Sequence, residues 1–117
     1  MVRFSSSEAA LRRFPHGVPK GNTPIGTDEA ELLCIEDATG EVLEFDHEVP
    51  NRICCRCATS QAHLIEALTI LEHYFSRCVE SDDFAADQTA GSDVIARATA
   101  AAGGSQYEAV YHSLVGF

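Results

Sequence analysis

The sequence predicts an α+β fold, a single domain in which an antiparallel sheet meander packs against helices. Three observations carry this. Apolar residues alternate with a period of two over residues 31–58, between short turn signals. A helical stripe follows at once over residues 60–79, and further helical patterns occupy 93–117. A chain of 117 residues, 45% of them hydrophobic, suits one core better than two, so residues 1–117 are expected to form one domain.

The elements follow in order. Ser5–Phe14 reads as a short helix: Ser5 and Glu8 have capping-box spacing, Ala9, Ala10, Leu11 and Phe14 lie near one face, and Pro15 stops it. "PHGVPKGNTP" brings three prolines and two glycines in ten residues and reads as a connector. Glu31–Glu36, "ELLCIE", suits a strand with apolar groups on both faces, and "DATG" offers Gly40 for a positive φ in a hairpin turn. Glu41–Asp46, "EVLEFD", returns with Leu43 and Phe45 on one face and Glu44 and Asp46 expected outward on the other. After a turn at "EVPN", "RICCRC" makes the third strand. Its alternation sets Ile53, Cys55 and Cys57 against Arg52, Cys54 and Arg56. Connections this short require antiparallel pairing.

Thr59 or Ser60 can cap the main helix, in which Leu64, Leu68, Leu71, Phe75 and Cys78 recur every three or four residues. Ile65 and Ile70 broaden that stripe. "ESDDFAADQTAGS" reads as an acidic linker, and Asp93–Ala102 as an Ala-rich helix ending at "GG". Ser105 can cap a last helix carrying Tyr107, Val110, Tyr111, Leu114 and Val115.

Charge narrows the function classes. A net charge of -10 repels nucleic acid and anionic membranes and attracts cationic surfaces. No signal peptide or membrane-spanning run is read, so a cytoplasmic location is expected. Five cysteines, an odd number, then read as thiols rather than as a disulfide framework.

The motifs for chemistry are sparse. A structural zinc centre needs four convergent ligands, usually from paired C-x-x-C or H-x-x-x-H units. Cys54, Cys55 and Cys57 fall on one strand, whose alternation lets at most two of them converge. His47 beside Asp46 has the residue types that activate a thiol, but strand neighbours point apart. "GNTPIG" has no following lysine to make a phosphate cradle. No catalytic residue, cofactor or metal is therefore expected, and the protein is not expected to be an enzyme.

What remains is acid. Thr27–Glu48 holds nine carboxylates, and residues 21–51 contain no lysine or arginine. Like charges facing across strands destabilise a sheet, so such a field is either solvated or in use.

"TPIGTDEAELLCIEDATGEVLEFDHE" resembles the core of the SUKH superfamily, whose members show a "pIG-D" start, an apolar strand, a "tG-V" turn and an acidic strand end. "CATSQAHLIEALTILEHYF" is similar to the helix that follows there, and "YEAVYHSLVGF" to a C-terminal helix of some branches. The likeness spans residues 11–79 and, loosely, the tail. It departs in the abbreviated region before the sheet, the cysteine-rich "RICCRC" and the absence of an early Phe in the helix. The resemblance implies an α+β domain without catalytic residues. It also implies a bacterial immunity protein, an antitoxin that neutralises a basic, nuclease-type toxin by occlusion. The expected partner is thus a cognate toxin or another basic protein, with room for a homodimer, and no nucleic acid or membrane. Contact is expected through Asp28, Glu29, Glu41, Glu44, Asp46 and Glu48. The alternative is a small metal-binding or thiol-redox protein using Cys54, Cys55 and Cys57, with Cys34 or His47.

Overall fold

The structure, a computed structural model, describes residues 2–4, 17–28 and 31–116. Glu29 and the helix expected over Ser5–Phe14 lie outside the described residues. The fold is α+β: a five-stranded antiparallel sheet and four α-helices among the described residues. The chain divides into two compact units, residues 1–61 and 62–117.

The first unit is the sheet: β1 (Val2–Phe4), β2 (Asn22–Asp28), β3 (Glu31–Glu36), β4 (Val42–Phe45) and β5 (Ile53–Ala58). Each strand pairs antiparallel with the next in sequence, so the sheet is a plain meander. The β3–β4 hairpin closes as its turn chemistry requires. Gly40 takes a φ of 80°, and its N–H donates to the Glu36 carbonyl at 2.7 Å. The next turn places Asn51 at a φ of 64°, a conformation asparagine tolerates better than most residues.

On one face Leu32, Cys34, Leu43 and Phe45 form a buried cluster with Val18 against it. Leu32 pairs with Phe45 and Cys34 with Leu43, so cross-strand partners meet directly. The other face of β4 is buried as well, carrying Val42 and Glu44. This overturns the expectation that Glu44 points to solvent. A strand enclosed on both faces gives its polar residue no outward side.

Two strands went unread in the sequence. Part of the supposed connector, together with the residues after it, is β2, which lies between β1 and β3. Proline is excluded from regular central strands, but here the register slips between Pro24 and Gly26, leaving Ile25 as the extra residue. Gly26 faces Phe4 on β1, and a Cβ there would be driven into the Arg3 carbonyl. Gly26→Ala is therefore expected to dislodge β1, with faster amide exchange at residues 2–4 while the β3–β4 ladder stays protected. Unchanged exchange at β1 would show that the strand does not depend on this approach.

The second unit is helical. The long helix α1 (Gln61–Glu80) opens at the boundary and is followed by α2 (Asp82–Ala85), α3 (Gln88–Ala102), a 3-10 turn at Ser105–Tyr107 and α4 (Glu108–Val115). Along α1 the buried side chains are Leu64, Ala67, Leu71 and Tyr74, whereas Phe75 is 40% exposed. The inward stripe is thus rotated from the one expected through Phe75. Tyr74 takes the inner place, with its ring 5.5 Å from that of Phe84.

The presumed acidic linker contains α2 and the first turn of α3. Ser81 accepts from the Phe84 N–H at 3.2 Å, and Asp87 accepts from Thr89 and Ala90 N–H groups at 2.9 and 3.2 Å. Helix α3 ends at Gly103, φ 125°, as "GG" foretold. Ser105 opens the 3-10 turn instead of capping α4. Tyr107, Val110 and Tyr111 are buried, as their spacing predicts.

Candidate functional site

The acids expected to contact a partner fall into separate environments. Asp28, at the end of β2, and Glu44, on β4, are only 9% and 7% exposed. They are hydrogen-bonded to each other. Burial, then the Asp28 charge and hydrogen bond, and finally Glu31 push the Glu44 carboxyl up to about 8. Glu44 thus holds its proton at neutral pH and donates it to Asp28. Neither residue offers a free negative charge to a partner.

Glu41 is tied to Arg56, whose Nε and Nη2 lie 2.8 and 2.6 Å from its Oε2. Asp46 closes the turn after β4. Its Oδ1 accepts the N–H groups of Glu48 and Val49 at 2.7 and 3.0 Å, and these bonds, with Arg52 and His47 beside it, hold its carboxyl below the ordinary value. Of the described acids in the set, Glu48 is the one extended into solvent, its side chain 79% exposed. The expected contact residues Asp28 and Glu44 are therefore corrected to interior groups.

Around Asp46 the structure brings together residues that the sequence keeps apart. Glu31 opens β3, Asp46 and His47 follow β4, and Cys54 lies on β5. His47 donates its backbone N–H to Glu31 Oε2 at 2.9 Å and sets Nδ1 3.1 Å from Glu31 Oε1. That hydrogen bond is the main reason its imidazole titrates above the ordinary value. On its other side, Nε2 lies 3.4 Å from Glu48 Oε1. The Cys54 sulfur is 3.9 Å from Glu31 Oε2 and 3.8 Å from Asp46 Oδ2. Ligand atoms of Glu31, Asp46 and His47 all fall within 4.8 Å of one another. The shallow crevice alongside, lined by Pro19, Leu32, Phe45 and Pro50, has a volume of about 10 Å³, room for one water.

Sequence reasoning named His47 and Cys54 but not Glu31. Strand pairing could have found it: a residue opening β3 stands beside those that follow β4 once the hairpin register is set. The β4–β5 register slips twice, between Val42 and Leu43 and again between Glu44 and Phe45, leaving Cys57 and Cys54 as the extra residues of β5. Cys57 is buried, Cys55 half-buried opposite Glu44, and Cys54 exposed.

Burial first, then neighbouring carboxylates, pushes the Cys54 thiol up to about 11. Cys34 rises to about 12 through burial and Asp37, and Cys55 and Cys57 also titrate above the ordinary thiol value, chiefly through burial. None is a thiolate at neutral pH, the reverse of what a redox or nucleophilic cysteine requires.

The helical unit holds a groove of about 270 Å³ lined by His73, Tyr74, Arg77, Phe84, Asp93 and Arg97. Arg77 and Arg97 are the only lysine or arginine residues of 62–117. Each has a local partner: Arg77 lies 3.9 Å over the Phe84 ring, and Arg97 Nη1 is 3.6 Å from Asp93 Oδ2. No helix among the described residues is long and apolar enough to cross a membrane. No protein-family model, curated protein or solved structure matches this chain.

Proposed function

We propose that the protein is a non-catalytic binding module of the immunity type, which occludes the cationic surface of a basic protein such as a nuclease toxin. The observation that carries this reading is the exposed corner at the β4–β5 turn. Val49 is 45% exposed and Ile53 51%, beside the extended carboxylate of Glu48, in a chain of net charge -10. Apolar anchors bordered by charge are what a polar-rimmed interface needs. The antiparallel meander followed by a long helix agrees with the element order that the SUKH resemblance implies.

The mechanism is electrostatic capture followed by burial of the anchors. Long-range attraction raises the association rate, and desolvation of Val49 and Ile53 holds the complex. The contact surface therefore centres on Glu48, Val49 and Ile53, with Asp46 at its edge, Glu41 at the far end of β4 and Asp28 and Glu44 removed from it. The thiol-redox alternative is disfavoured by thiols that stay protonated.

The test is co-expression with toxins encoded beside the gene, followed by binding measurements on the pair that is rescued. Val49→Ser with Ile53→Ser is expected to weaken binding at least tenfold through faster dissociation. Glu48→Gln should mainly slow association and flatten its salt dependence. A protein that rescues no toxin and binds no basic domain at low ionic strength is not of this type.

A further inference from the structure

We propose that Glu31, Asp46, His47 and Cys54 form a binding site for a divalent cation of the zinc class. The site adjoins the proposed contact surface at Asp46 and Glu48 and uses neither Cys55 nor Cys57.

The geometry supports this in three ways. First, the spacing fits. Four ligands around zinc at bond lengths of about 2.0–2.3 Å stand about 3.3–3.8 Å apart in a tetrahedron. Here His47 Nδ1 and Glu31 Oε1 are 3.1 Å apart and ligand atoms of Glu31, Asp46 and His47 all lie within 4.8 Å of one another, while the Cys54 sulfur, at the border of that group, is 3.8 Å from Asp46 Oδ2 and 3.9 Å from Glu31 Oε2. A metal there would require the Cys54 side chain to turn toward the other three donors.

Second, the surrounding bonds already orient each donor. One oxygen of each carboxylate is fixed by backbone: Glu31 Oε2 by the His47 N–H, and Asp46 Oδ1 by the Glu48 and Val49 N–H groups. Glu31 Oε1 and Asp46 Oδ2 carry no backbone bond and would be the oxygens that meet a metal. His47 Nδ1 is bonded to Glu31 Oε1 at 3.1 Å, and a metal would replace that bond, with Glu48 Oε1, 3.4 Å from Nε2, then holding the remaining ring proton. Outer hydrogen bonds of this kind orient histidine ligands in metal sites.

Third, the donor set selects the metal. One nitrogen, one sulfur and two oxygens suit zinc and its borderline neighbours, whereas calcium and magnesium prefer all-oxygen shells. Strands β3 and β5 and the turn after β4 supply the ligands, so bound metal would tie together the end of the sheet that bears the β4–β5 turn.

Binding is balanced by proton release. The Cys54 S–H bond breaks as the S–Zn bond forms, and the proton passes to solvent; a protonated His47 likewise gives up its Nδ1 proton. The groups facing the site are Glu48 on the His47 side and Arg52, whose Nη1 is 3.9 Å from Asp46 Oδ2. Arg52 competes with a cation for Asp46, but its side chain is 65% exposed and can turn into solvent.

The test uses the full chain, freed of metal with chelator and titrated with zinc, with cobalt as a spectroscopic stand-in and with magnesium and calcium. The expected result is one equivalent of zinc, a thiolate-to-cobalt absorption band, and no competition from magnesium or calcium. Cys54→Ser should abolish the band, His47→Gln should weaken zinc at least tenfold, and Cys55→Ser should leave both unchanged. Arg52→Gln removes the competing charge and should tighten zinc, a readout that does not depend on the ligand variants staying folded. Absence of stoichiometric zinc would overturn the site. So would a cobalt band that survives Cys54→Ser, or zinc affinity indifferent to both His47→Gln and Arg52→Gln.

Discussion

Replacing Glu44 with glutamine is expected to remove most of the fall in stability that the protein shows between mild acid and mild alkali. Glu44 rises from an ordinary 4.5 to about 8 because it is buried against Asp28. Between those values the folded chain keeps a proton that the unfolded chain has released. The stability that Glu44 contributes is therefore fully present below about pH 4.5 and is lost as pH rises through 8, by up to about 1.4 kcal/mol per pH unit in this window. Glutamine keeps the shape and a hydrogen-bond donor but does not ionise. Near pH 8 the variant should exceed its parent by a few kcal/mol, on the order of 2–4, and should match it below pH 5. His47, also raised, works in the same direction but is half-exposed and adds less. Urea unfolding curves across pH 4–9 measure the effect. Equal slopes in parent and variant would mean that Glu44 is ionised in the folded state.

The second large effect is expected at Leu43. It lies with Leu32, Cys34 and Phe45 in the buried cluster and is 3% exposed. Leu43→Ala removes buried methyl groups and leaves a cavity, because the neighbours sit on paired strands that cannot collapse inward. The loss should be about 2–5 kcal/mol in urea unfolding. Cys34→Ser offers a contrast at the directly paired position: little volume changes, but a hydroxyl must find a partner, at about 1–3 kcal/mol. A Leu43→Ala loss under about 1 kcal/mol would show that this face is loosely filled.

Much of the sheet was legible because turn chemistry and alternation agreed. Gly40, the "EVPN" turn and the Leu43–Phe45 alternation each led to the observed hairpins. Strand β2 was hidden because Pro24 and Gly26 look like breakers, and only the bulge and the approach of β1 explain why a strand accepts them. Helix α3 began earlier than its apolar pattern suggested, since the Asp87 cap, not hydrophobic spacing, sets its start.

The site was legible only in part. Residue types pointed to His47 and Cys54, but alternation assumed an unbroken ladder, and two slips in β5 changed which residue each cysteine meets. The acids were misread for a related reason. Counting carboxylates along the chain cannot distinguish Glu44, enclosed between two strands, from Glu48, which stands in water.

The same irregularity has a consequence for how molecules of this protein meet. Strand β5 ends the sheet order, and such a margin ordinarily invites a second strand to zip along it. The slips at Cys54 and Cys57 lie two and five positions into a six-residue strand. An incoming chain could keep step for only two or three residues before its hydrogen bonds fell out of phase. The kinked border thus discourages runaway stacking of sheets, and a variant with the slips deleted should fibrillate more readily than its parent.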